Sequence, residues 1–172
     1  MTKVHVTAKR DFLESLANGK PLDALAEIIW NGFDADATRV QVFLQLNAMD
    51  GIESIRVRDY GYGIDRQKVE NLFGNLGDSW KKKQHRQNGR ALHGKNGKGR
   101  FKVFGLGQDV EWRTAYKDKE KLFTYTIKGS AQSLDDFDIS DPVESNSASL
   151  GTEVTIHNLK KDFRSLRRDT AP

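Results

Sequence analysis

The chain has no cysteine among its 172 residues, which excludes disulfides and thiolate zinc sites. Its four histidines, His5, His85, His93 and His157, are too scattered to read as a metal cluster. No apolar run approaches the roughly 20 residues that span a bilayer, and the first residues lack the apolar stretch of a secretory leader. These absences lead to the expectation of a cytoplasmic protein with no membrane partner. No internal repeat is visible. One segment lacks acids altogether: from Trp80 to Lys102 there are nine Lys/Arg and no Asp or Glu. The net charge is +4, so everything outside that segment carries −5. A uniformly basic nucleic-acid binder would be distributed differently. Here a mildly acidic domain carries one basic segment.

The composition is polar but not that of a disordered chain, with 37% hydrophobic and 30% charged residues. The length suits one domain, expected over 1–160. Val4 to Val6 reads as a short strand, and Asp11 to Asn18 as a short helix stopped by Asn18-Gly19. Pro21 suits a helix first turn. After it Leu22, Leu25, Ala26, Ile29 and Phe33 recur at helical spacing. At about 100° per residue these five fall within roughly 100° of one another, the expected packing stripe. Glu27, Asn31 and Asp34 fall within roughly 60° on the opposite side.

Val40, Val42, Leu44 and Leu46 alternate with polar or aromatic residues as in a half-buried strand. Asp50-Gly51 favours a hairpin. In the next strand Ile55 and Val57 share parity with Asp59, which therefore points to the apolar face and needs hydrogen-bond donors there. Val69, Leu72, Phe73 and Leu76 suggest a short helix within 67–76. The stretch 77–99 has no period and reads as a long functional loop or lid. A helix is expected over 101–106, then strands over 110–116, 122–127 and 153–157. The Ser- and Asp-rich stretch 129–150 reads as an exposed acidic connection with at most one strand near 137–139. The tail 161–172 is basic and reads as a helix or as the start of a connection to a following domain.

Certain residues carry chemistry. A carboxylate at Glu27 beside a bound phosphate could orient and deprotonate water. The amide oxygen of Asn31 suits magnesium, a hard cation that prefers oxygen ligands. Asp59 with Gly61 and Gly63 could accept the exocyclic amine of a purine while the glycines let the base approach the backbone. Gly94 to Arg100 is a glycine-rich loop opening a helix, a place where free amides meet phosphate. It is not the G-x-x-x-x-G-K-[ST] loop, because neither Ser nor Thr follows Gly99. Taken singly, each segment also has an ordinary reading, as a solvated helix face, a turn or a flexible basic linker. Their order in one domain-sized chain is what singles them out.

That order resembles the GHKL ATPases, which include gyrase-type topoisomerases, HtpG-like chaperones, sensor histidine kinases and MutL-like proteins, with MORC proteins nearby. Glu27 to Thr38 is similar to the first box in its MutL and MORC form: Glu, three residues, Asn, two residues, Asp-Ala, one residue, Ala-Thr. Asp59 to Gly63 matches the first glycine box, Gly94 to Gly99 the second and Gly151 to Val154 the third. Tyr60, Tyr62 and Trp30 depart from the usual pattern, as do Lys95 and Lys98 in the second glycine box.

The resemblance implies an α+β fold, a two-layer Bergerat-type sandwich with a mixed, mainly antiparallel sheet and helices on one face. It implies ATP and Mg2+ as ligands. Glu27 would be the hydrolytic base and Asn31 the magnesium ligand. Asp34 would support the site, Asp59 and Gly63 with Gly61 would hold the adenine, and Thr152 would reach Asp59 or a shared water. Gly97, Gly99 and Arg100 would offer backbone amides to the phosphates, with charge added by Lys98. It implies an ATPase with a mobile lid that forms a homodimer on binding ATP. A nucleotide-switched module gripping nucleic acid through the basic lid is the alternative. A histidine-kinase catalytic domain is disfavoured by the Asp-Ala-x-Ala-Thr continuation and by the lack of a phosphoacceptor helix ahead of it.

Overall fold

The computed structural model describes residues 2–5, 10–17, 20–74, 86–87, 90–91, 99–160 and 163. Short strand β1 (Thr2–His5) precedes helix α1 (Arg10–Ala17) and helix α2 (Pro21–Asp34). The hairpin β2 (Val40–Leu46) and β3 (Ile52–Asp59) follows, then α3 (Val69–Gly74). Two-residue strands β4 (Arg86–Gln87) and β5 (Arg90–Ala91) pair with each other. A single turn α4 (Gly99–Lys102) runs into a 3-10 turn (Val103–Gly105). The chain closes with β6 (Gly107–Asp118), β7 (Lys121–Ser130), β8 (Ser133–Ile139), β9 (Val143–Glu144) and β10 (Gly151–Leu159).

The eight-stranded sheet runs β1-β8-β7-β6-β10-β3-β2, with β9 attached to β7. The sheet expected to be mainly antiparallel is antiparallel at every one of these pairings. Its register lines up the core. One rung runs Val57, Val154, Trp112, Ile127 and Ile139, and the next contains Ile55, Ile156, Val110 and Phe137. All nine are buried. Phe137 is the hub, with the rings of Phe73, Trp112, Phe101 and Phe104 packed around it at 5.1–6.4 Å. The intervening rungs face the other way and are polar. They carry Arg56, Thr155, Glu111 and Lys128, then Arg58, Glu153, Arg113 and Thr126. Helices therefore cover one face, and the second face is a charge-studded surface.

The Asn47 side chain closes the β2–β3 turn by accepting the amides of Met49 and Gly51, and Asp50 takes the left-handed conformation expected of Asp-Gly (φ 60°). Strand β2 is at the sheet edge and is less buried than its alternation suggests, with Val42 and Leu46 both exposed.

Two expectations are corrected. First, α2 does not bury the stripe Leu22, Leu25, Ala26, Ile29 and Phe33. Its buried residues are Ala24, Ile28, Gly32 and Asp34, while Leu22 is 60% exposed. The packed line is turned about 100° from the apolar stripe, as the helical angles of Ala24, Ile28 and Gly32 require. The reason is proximity. Gly32 lies against the Cβ of Asp59 and a methyl of Val40, and a Cβ there would come within 2.8 and 2.9 Å of them. Small residues let this helix come close to the sheet, and the larger apolar ones flank the contact. Second, 129–150 is not mainly an exposed connection. Strand β8 pairs with both β7 and β1 and buries Leu134, Phe137 and Ile139. A register shift at Gly129/Ser130 interrupts the alternation that would have marked it.

Candidate active site

Strand parity delivers Asp59 to the covered face at the end of β3, where it is 8% exposed. Its Oδ1 accepts two backbone amides, from Gly61 at 2.9 Å and Thr152 at 3.1 Å. Among the described residues no donor occupies Oδ2. Burial is the largest influence on this carboxyl and pushes its pKa above the usual aspartate range, while the two amides and the Arg58 charge pull the other way. Between the usual value and the raised one, the folded chain keeps a proton that the unfolded chain has released. Stability is therefore expected to fall as pH rises through that window and to level off above it. Denaturant titrations across acidic pH should show this slope in the native protein and lose it in Asp59→Asn.

Glycines shape the surroundings. Gly63 has φ 75°, and a Cβ there would collide with the carbonyl oxygen of Ala115. Gly151 has φ 120° and packs on the Asp59 carbonyl in the same way. Gly61 lies against the Ala35 carbonyl just beyond α2, and that carbonyl accepts the Tyr62 amide at 3.0 Å. The turn after Asp59 is thus clamped between the end of α2 and strand β6. Thr152 meets Asp59 through its amide. Its hydroxyl lies 3.1 Å from that of Thr114 instead. Thr114 also accepts the Ile64 amide at 2.9 Å. The sequence reading missed Thr114. Its signal was parity, because a threonine in phase with Val110 and Trp112 must face inward and find a partner.

Midway along α2, Glu27 meets the start of α4. Gly99 sits directly on Oε1, leaving no room for a side chain, and the Lys102 ammonium lies 3.2 Å from Oε2. Lys102 too was missed. Asn31, one turn on from Glu27, is exposed, whereas Asp34 is 6% exposed and its carbonyl accepts the Tyr62 hydroxyl at 3.5 Å. The Arg100 guanidinium lies over the rings of Phe101 (5.0 Å) and Phe73 (5.8 Å), and burial lowers its pKa to about 10. Gly97 and Lys98, most of the stretch 77–99 expected to form a lid, and the tail over 161–172 apart from Phe163 lie outside the described residues.

Tyr60 faces the opposite side of the sheet. Arg39 and Arg58 lie over its ring at 4.4 and 5.2 Å, and its hydroxyl donates to Gln41 at 2.9 Å. Arg58 donates on that side to the carbonyls of Ser149 and Leu150 at 2.8 and 3.1 Å. A cavity of about 480 Å3 lies beside it, lined by Arg58, Arg113, Thr126, Ser140 and Glu153 among others. It sits on the face away from the Asp59 carboxylate.

One helix therefore carries an ion-paired carboxylate at its middle and abuts a buried aspartate near its C-terminal end. A family model for histidine kinase-, DNA gyrase B-, and HSP90-like ATPases matches residues 20–162, from the first turn of α2 to just past β10. The chain belongs to this family. No curated protein matches it. Membership of the GHKL ATPases supports ATP binding, and the open antiparallel sheet with its covering helices is consistent with the family's fold. Among the described residues no helix is long and apolar enough to cross a membrane.

Proposed function

We propose that the chain is an ATP-hydrolysing GHKL module in which α2 is the ruler of the site. The observation that carries this is a pair of contacts along it: Gly32, near its C-terminal end, on the Cβ of Asp59, and Glu27, at its middle, against Gly99 and Lys102. Glu27 and Gly32 are five positions apart, about 7.5 Å along the helix axis. The purine lies at the Asp59 end. Oδ2 accepts its exocyclic amine, because Oδ1 is already held by Gly61 and Thr152. Gly61 and Gly63 let the adjoining turn pack against the Ala35 and Ala115 carbonyls. The phosphates lie toward Asn31 and the start of α4, in the reading that gives them the amides of Gly97, Gly99 and Arg100 and the charge of Lys98.

The described residues hold no cluster of three or more His, Cys, Asp or Glu suited to a metal. An amide oxygen suits magnesium, and Asn31, an exposed residue one turn beyond Glu27, would hold an ion that arrives on the nucleotide. When bound, the ion neutralises phosphate charge. Glu27 takes a proton from water as the water oxygen bonds to the γ-phosphorus, and the bond to the leaving ADP oxygen breaks. Asp34 supports the adenine side from below. The run from Glu27 to Thr38 favours the MutL and MORC branch, with the stretch 77–99 acting as a lid and ATP promoting pairing of two copies. Calorimetric titration with ATP and magnesium, coupled to measurement of phosphate release, tests the proposal. Binding with slow release is expected of the isolated chain, and an intact chain that binds no ATP would overturn it.

A further inference from the structure

We infer that Lys102 is a γ-phosphate ligand supplied from within the domain, so that it makes the site prefer ATP to ADP. This rests on the reading of Glu27 as the base. Its ammonium is 3.2 Å from Glu27 Oε2 and, among the described residues, has Glu27 as its one hydrogen-bond partner. Lysine has three N–H donors, so one bond to Glu27 leaves two. A base that deprotonates the attacking water stands one water molecule from the γ-phosphorus. A cation touching that base is then within reach of the γ-phosphate oxygens. The β-phosphate lies farther along the nucleotide and gains less.

Accessibility agrees. The Lys102 side chain is 38% exposed and that of Glu27 17%, so the pair is neither sealed in the core nor lost to solvent. The backbone also fixes where the lysine starts. Phe101, immediately before it, is fully buried, and Gly99 is pressed on Glu27. The lysine therefore projects from an anchored turn and bridges two anions: it orients the carboxylate and contacts the phosphate that the water attacks. Arg100, two residues earlier, does not compete for this position, because its guanidinium stacks on Phe73 and Phe101.

The test compares ADP with a non-hydrolysable ATP analogue by calorimetry on the full chain. Lys102→Met is expected to weaken the analogue about tenfold, the worth of one charge-assisted hydrogen bond, while ADP affinity stays within about twofold. Lys102→Arg is expected to regain most of the preference, and Lys102→Gln replaces the methionine variant if that one fails to fold. Unchanged discrimination in Lys102→Met, or equal losses for both nucleotides, would overturn the assignment. The two readings fail separately. Full turnover in Glu27→Gln removes the base but not a measured loss of ATP preference at Lys102. The reverse pattern removes Lys102 alone.

Discussion

Glu27→Gln is expected to bind ATP normally and to lose turnover by about 10²–10⁴-fold, the usual contribution of a positioned general base. Glutamine keeps the shape of the side chain and an oxygen that can accept from Lys102, so the contact with α4 survives. What it lacks is a basic oxygen for the water proton. Glu27→Ala removes the same base but leaves the Lys102 ammonium without its partner. It should lose turnover equally while holding the phosphates at least as tightly. Single-turnover phosphate release and equilibrium binding, measured on the same preparations, separate the two quantities. Hydrolysis at the native rate in the glutamine variant would remove Glu27 from the mechanism.

Asp59→Asn is expected to fold and yet lose ATP, by on the order of 10²–10³-fold or about 3–4 kcal/mol. Hydrogen-bond polarity decides the outcome. The native Oδ1 is committed to the amides of Gly61 and Thr152. An asparagine must turn its only oxygen toward those two donors. Its NH2 group then occupies the place of Oδ2 and meets the purine amine donor to donor. The substitution also removes a buried charge, so the free protein should be no less stable than the native one. Thermal unfolding checks both halves: an unchanged or higher Tm without nucleotide, and no rise in Tm on adding ATP. A normal rise would show that the purine is read elsewhere.

The part of the site that obeys local periodicity was legible in the sequence. The shared parity of Ile55, Val57 and Asp59 is a property of one strand, and it put the carboxylate on the covered face. Pro21, Asp50-Gly51 and the glycines after Asp59 likewise act within a few residues. The contact face of α2 was not legible, because counting apolar side chains rewards size, and this helix makes its closest approach through Ala24 and Gly32. Strand β8 was hidden by its aspartates and by the register shift before it. Lys102 was hidden by distance: it is 75 residues from Glu27, and no spacing rule links them. Thr114 and Thr152 meet only because β6 and β10 pair in that register.

The entry to β10 is held twice. Arg58 grips the carbonyls of Ser149 and Leu150 from the uncovered face, and Asp59 grips the amide of Thr152 from the covered one. These are neighbouring residues of one strand, so the two grips share a backbone link and cannot relax independently. The carboxylate and the segment that walls the far cavity thus hang on a single peptide link. At this point the two sides of the sheet are one peptide unit apart.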